Sequence, residues 1–271
     1  MATERDYLLG THDAELARLG LQHRVWRPRA LDAWRRAGFT RGQSILDVGC
    51  GPGYASVDLA EIVGPKGRIV SMDRSRRFLD FLMAVREGRC LDQIETHELD
   101  LEKDELPVQG VDGSWSRWVL AFLKQPRPLL ERVVRAVRPG GTLVLHEYLD
   151  YRSWRLAPQL PELEELVRTV VDAWHADGGE PDVGLQVPRW LGEMGCEIRD
   201  MRPLVDIVPP ENFVWQWPKT FIEVGLPRLQ ELGRLTPERA RAIREAFDRA
   251  EATPHTYMLT PVVLEVIATR R

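Results

Sequence analysis

Short apolar runs and apolar stripes at helical spacing alternate along the first 150 residues. Ser44-Ile45-Leu46-Asp47-Val48 has the pattern of a parallel strand buried on both faces. Glycines follow, then Val57, Leu59, Ala60, Ile62 and Val63 at roughly helical spacing until Gly64-Pro65 stops them. The rhythm repeats. Arg68–Asp73 reads as a second strand, and Ser75 caps a helix whose stripe is Phe78, Leu79, Leu82 and Val85. Ile94–Leu99 reads as a third strand, closed by Asp100, and Val111–Trp115 begins a fourth. Pro128 opens a helix carrying Leu129, Leu130, Val133, Val134 and Val137, and Pro139-Gly140-Gly141 turns it into a fifth strand, Thr142–Tyr148. Strands and helices joined by short turns predict right-handed βαβ connections and a parallel sheet covered on both faces.

Before this core, residues 11 to 38 read as helical, with Thr11 as N-cap, Asp13 and Glu15 in the first turn, Pro28 as a split and Gly38 as the stop. Beyond residue 150 the rhythm changes. Helical stretches near 161 to 176 and 185 to 194 precede a long strand, Cys196–Val208, and Thr236-Pro237-Glu238 starts a late helix. Met258–Thr269 reads as the final strand. The expected division is a helical cap over 1–38, a ligand-binding core over 39–150, helices and a sixth strand over 151–208, an aromatic helical lid insert over 209–257 and a last strand over 258–271. The expected fold class is α/β, a Rossmann-like doubly wound sheet, mostly parallel and seven-stranded, with an antiparallel last strand and a helical cap.

Composition narrows the function classes. The net charge of −4, from 37 basic and 41 acidic residues, offers no footprint for nucleic acid. No apolar run approaches a membrane span and no apolar stretch follows the charged amino terminus, so the expected location is the cytoplasm. The three cysteines are too few and scattered for a disulfide framework or a metal site, and no metal is expected. The chain alone leaves homodimer formation open.

The candidate chemistry starts at the first glycine turn. Asp47-Val48-Gly49-Cys50-Gly51-Pro52-Gly53 joins strand to helix, where glycines give a ligand access to main-chain amides and the positive end of a helix dipole faces the same space. Asp73 ends the second strand twenty residues after Gly53, where an acid takes a ribose hydroxyl pair. Asp47 would repel a dinucleotide pyrophosphate but tolerates an ammonium and a sulfonium, and Asp100 can accept from an adenine amino group. The pocket therefore reads as built for a positively charged adenosine compound.

Residues 40 to 150 resemble a class I S-adenosylmethionine-dependent methyltransferase. "ILDVGCGPG" is similar to the first motif of that family, "IVSMDRS" to its second-strand acid, "ELDLEKDELP" to its third-strand acid, "VDGSWSRWVLAFLKQP" to its fourth strand and turn, and "RPGGTLVLHEY" to its fifth strand. The rest of the chain resembles, more loosely, the quinone-type and natural-product members. The resemblance implies S-adenosyl-L-methionine as cofactor. Asp47, Gly49, Gly51 and Gly53 would stand around its methionine part, Asp73 and Arg74 around the ribose, Asp100 and Leu101 around adenine, and Ser116 and Arg117 along the methyl-donor pocket.

Candidates for the acceptor side come from the remaining chemistry. His146 and Glu147 stand at the carboxyl end of the fifth strand and are expected as catalytic groups, with Tyr7 folding over the donor. His23, Trp118, Trp154, Trp215, Trp217 and Phe221 are expected to line an apolar acceptor site, Trp174 adding to it. The expected reaction is methyl transfer to a small aromatic or polyketide-like molecule, at oxygen first, with nitrogen or carbon as alternatives. Rival readings are an NAD-dependent oxidoreductase, an RNA-modifying enzyme, and a donor-binding protein that does not methylate.

Overall fold

Seven strands form one sheet, whose inner strands bury apolar side chains on both faces. The seven are β1 (Ser44–Val48), β2 (Arg68–Asp73), β3 (Ile94–Glu98), β4 (Val111–Arg117), β5 (Val137–Asp150), β7 (Cys196–Leu204) and β10 (Val262–Arg270). The computed structural model describes residues 13–271, so the Tyr7 and Thr11 expectations lie outside the described residues. The strand order is β3-β2-β1-β4-β5-β10-β7. β1 to β5 pair in parallel, and β10 runs antiparallel to both of its neighbours, β5 and β7. The last strand thus wedges in beside β5, leaving β7 at the edge.

The helices are α1 (Asp13–Ala37), α2 (Tyr54–Val63), α3 (Arg76–Gly88), α4 (Pro126–Ala136), α5 (Pro161–Ala176), α6 (Val187–Glu193), α7 (Gln216–Glu231) and α8 (Pro237–Glu251). Ile45, Ile69, Trp115 and Val144 meet Trp34 of α1, Leu59 of α2 and Leu79 and Leu82 of α3 in one core. Their strand neighbours Leu46, Val70 and Leu143 face the other way, into a core shared with Leu129 and Val133 of α4, Val170 of α5 and Leu191 of α6. This is the period-2 alternation of a doubly wound sheet. A small sheet of β6 (Arg155–Ala157), β9 (Tyr257–Leu259) and β8 (Ile207–Val208) ties the late insert to the core.

Four boundaries differ from the sequence expectation, the first being the fifth strand, which begins at Val137 and so takes in a residue expected on the helix and the expected turn Pro139-Gly140-Gly141. Pro28 does not split the first helix, which runs unbroken from Asp13 to Ala37. Pro28 and Arg24 are both exposed, so the carbonyl that loses its amide partner faces water. The expected strand Cys196–Val208 is two, β7 and β8, and the expected final strand divides into β9 and β10 around Thr260-Pro261, where proline has no amide to give a ladder. The amide of Thr260 bonds instead to Asp206 O (3.0 Å) and its hydroxyl accepts from Asp206 N (3.0 Å).

Strand order reverses between β1 and β4. Their carboxyl ends open the crevice in which open α/β sheets bind ligands.

Candidate active site

Three consecutive alternate glycines make the turn after β1, and each has positive φ: +64° at Gly49, +54° at Gly51 and +79° at Gly53. They serve different ends. A Cβ on Gly49 would stand 2.4 Å from Val119, and one on Gly53 would stand 2.3 Å from Leu82 of α3. Gly51 has nothing within 4 Å of that position and borders the cavity, so a side chain there would project into it. Gly53 does not border the cavity. The cofactor role expected for it becomes a packing role, closing α2 onto α3.

Acids gather around this turn. Asp73 accepts from the amide of Gly51 (2.9 Å) with one carboxylate oxygen and from that of Ser75 (2.8 Å) with the other. Burial raises its pKa, and these amides oppose the rise. Asp47 accepts from the hydroxyl of Ser56 (2.5 Å) in the first turn of α2, and burial pushes it up to about 7. Asp100 accepts from Lys103 Nζ (2.6 Å) and from Glu102 N (3.0 Å), and Lys103 holds its pKa below the usual carboxylate value. Asp47, Asp73, Arg74, Asp100 and Leu101 all border one cavity of about 830 Å³.

The other half of the cavity is aromatic. Trp118 sits at φ +52°, strained for a bulky side chain, with its amide bonded to His146 O (2.9 Å). Its ring stacks between Tyr148 (5.3 Å, 15°) and Trp217 (5.5 Å, 11°). Trp154 and Phe221 meet edge to face (5.9 Å) on the same wall, which Tyr151 and Trp174 extend. Between the two halves stands Arg117, whose guanidinium lies 5.2 Å from the Trp118 ring centroid. Burial lowers its pKa to about 10, and its Nη1 is buried without a protein partner. His23 of α1 borders the same space.

Besides Gly53, four expected site residues are placed elsewhere. His146 is 0% exposed and does not border the cavity. Its Nε2 meets Glu265 of β10 (3.0 Å), which is also held by Arg36, while Trp115 (4.8 Å) and Trp26 (6.0 Å) pack on the ring. It is a buried contact between β5 and β10, away from the cavity. Glu147 is likewise buried, and one carboxylate oxygen accepts from the amides of Val119 and Leu120 (2.9 Å each). It shapes the turn after β4 from behind instead of touching a ligand.

Ser116 is turned away because Trp115 and Arg117, its neighbours on the strand, face the cavity. Trp215 is fully buried against Phe247 of α8 (5.7 Å), making it core within the insert. The residues that sequence reasoning passed over are Tyr148, Tyr151 and Asp58. The signal for the tyrosines was available, since Tyr148 stands near the carboxyl end of β5 and Tyr151 just follows it. Asp58 was visible as an acid on the otherwise apolar face of α2.

The fold is the seven-stranded, mostly parallel Rossmann-like sheet with an antiparallel last strand that solved S-adenosylmethionine-dependent methyltransferase structures share. Residues 46–145 match the methyltransferase domain family. A 37.1 kDa transposon protein of Streptomyces fradiae is 30% identical over 169 residues, covering 61% of this chain and 47% of that protein. The demethylmenaquinone methyltransferase of Lactococcus lactis is 29% identical over 130 residues, covering 46% and 49%. These alignments thus span about half the length of the curated relatives. Among solved structures, coclaurine N-methyltransferase bound to N-methylheliamine and S-adenosylhomocysteine superposes with a TM-score of 0.58 at 16% identity, covering 90% of this chain and 70% of that one. The cyclase SpnF superposes with a TM-score of 0.57 at 16% identity, covering 90% and 80%. At these identities the structural likeness carries the fold alone.

Proposed function

We propose that the protein transfers the methyl group of S-adenosylmethionine to a hydroxyl oxygen of a small, largely apolar acceptor of aromatic or polyketide-like character. The observation that carries this reading is the single cavity in which an acid-and-glycine edge is continuous with an aromatic chamber.

The residues present fit the cofactor. Gly51 leaves open a space that any Cβ would fill, and Asp73, Asp100 and Leu101 border it where ribose and adenine need acceptors and apolar cover. Asp47, buried in the same wall, suits a cationic amine. The cofactor, when bound, supplies an electrophilic methyl on a sulfonium. The chain supplies position. Stacked aromatic faces tolerate a sulfonium and an aromatic acceptor alike, and they exclude water. Orientation of the two partners can account for up to ~7 to 11 kcal/mol of barrier lowering.

The partner expected is a small molecule in the cytoplasm. Among the described residues no helix is long and apolar enough to cross a membrane. The test is mass spectrometry after incubation with methyl-deuterated S-adenosylmethionine and a panel of phenols, quinols and polyketides. A labelled methyl ether is the expected product. Trp217→Ala should raise the acceptor's Michaelis constant roughly tenfold or more while changing the donor's far less. Labelled amine or C-methyl products would reassign the acceptor atom, and donor binding with no transfer to any member would contradict the reading.

A further inference from the structure

A histidine on the wall of the cavity meets an acid that does not border it. His23 Nε2 lies 3.0 Å from Asp58 Oδ2 of α2, and its Nδ1 lies 3.3 Å from Arg117 Nη2. Both contacts point to the same tautomer. An ionised carboxylate only accepts, so Nε2 carries the proton; a guanidinium only donates, so Nδ1 is unprotonated and its one lone pair accepts from Arg117. Asp58 is fixed in turn by Arg27 Nε (2.8 Å), and the His23 ring lies nearly parallel to that of Tyr54 (5.8 Å, 23°). The imidazole is therefore held from three sides with its basic nitrogen beside Arg117, and both His23 and Arg117 border the cavity.

We propose that His23, oriented by Asp58, is the general base that takes the proton of the acceptor, and that Arg117 holds the resulting oxyanion. The acceptor is thereby a phenol or enol, an acidic hydroxyl on an unsaturated ring or chain. The inference rests on the donor site proposed above.

In the reaction Arg117 turns from Nδ1 to the acceptor's oxygen, the acceptor's O–H bond breaks and its proton passes to the freed lone pair of His23 Nδ1. The oxygen's electron pair forms the bond to the methyl carbon, and the electrons of the carbon–sulfur bond remain on sulfur as a neutral thioether. The imidazolium is stabilised by Asp58 until it releases its proton to water. The unpartnered Nη1 of Arg117 is the donor left for the oxygen. The groups facing His23 are Asp58 and Tyr54 from α2, Arg27 from α1 and Arg117 from β4. Burial, with the two arginines, outweighs Asp58 and keeps the imidazole below its ordinary pKa, so it is neutral at neutral pH. A general base in this position contributes ~10² to 10⁴ in rate.

The test uses 4-nitrophenol as probe, since its phenolate is coloured. In the full-length protein saturated with S-adenosylhomocysteine, bound probe should ionise at lower pH than free probe, its phenolate fraction near pH 6 rising roughly tenfold. His23→Gln should abolish that gain while leaving S-adenosylhomocysteine affinity, read by calorimetry, within about twofold. Asp58→Asn should weaken it, because an amide can donate to Nε2 and permit the opposite tautomer. This second variant keeps the test intact should His23→Gln fail to fold. An ionisation gain that survives both variants, or a wild type that leaves the probe neutral or unbound, would overturn the base. Wild type that binds no S-adenosylhomocysteine would instead overturn the donor site, and the base with it.

Discussion

Gly53→Ala is expected to lower the free energy of unfolding by roughly 2–5 kcal/mol, the sum of a left-handed backbone and an overpacked contact. The residue sits at φ +79°, and the added methyl would stand 2.3 Å from Leu82, a fully buried side chain of α3. Gly51→Ala carries only the backbone cost of about 1–2 kcal/mol, because nothing lies within 4 Å of its Cβ position. Its methyl would occupy the cavity. Urea denaturation should therefore rank Gly53→Ala as the less stable, while calorimetry with S-adenosylhomocysteine should show the larger affinity loss in Gly51→Ala. Equal destabilisation with unchanged affinity in Gly51→Ala would mean that the turn is only structural.

Glu147→Gln is expected to stabilise the protein at neutral and higher pH. Burial raises this carboxyl from its ordinary 4.5 up to about 7, against the pull of three backbone amides. Between those values the folded chain keeps a proton that the unfolded chain has lost, so the group's contribution is complete below about 4.5 and lost as pH rises to about 7. The lost stability is on the order of 3 kcal/mol. Glutamine still offers an oxygen to Val119 and Leu120 but has no proton to lose. Subtracting the two stability curves should give a difference that grows from pH 5 to pH 8. Parallel curves would show that Glu147 titrates as an ordinary carboxylate.

The first half of the fold was legible because its signals are local. Ser75 caps its helix by accepting from Phe78 N (3.3 Å), Thr236 caps α8 in the same way, and the apolar runs fall on β1 to β5. Pro28 misled because its cost depends on where the orphaned carbonyl points, which only the packed helix decides. The split of the last strand was similarly hidden, since Thr260 bonds to Asp206, a residue distant in the chain.

The edge of glycines and acids was legible for a related reason. Glycines and acids at strand ends act through backbone geometry, which spacing records. The acceptor side depends on side-chain direction. His146 stood at the expected level of β5, yet it pairs with Glu265 of the last strand, whose register against β5 no local pattern could give. Trp215 and Trp217 could not be ranked either, because the 3-10 turn over Phe213–Trp215 precedes α7 and points one ring at Phe247 and the other at Trp118. Ser116 was within reach. Strand alternation alone excludes it once Arg117 faces the cavity.

Calorimetric titration with S-adenosylhomocysteine tests most directly whether the carboxyl edge of β1 and β2 is a donor site. Wild type should bind stoichiometrically, and Asp73→Ala should bind at least tenfold more weakly, since each charge-assisted hydrogen bond to the ribose is worth about 1.5–3 kcal/mol. Because Asp73 also receives the amides of Gly51 and Ser75, folding of the variant is checked by its thermal transition. An unchanged affinity in a folded Asp73→Ala, or tighter binding of NAD than of S-adenosylhomocysteine by wild type, would contradict the account.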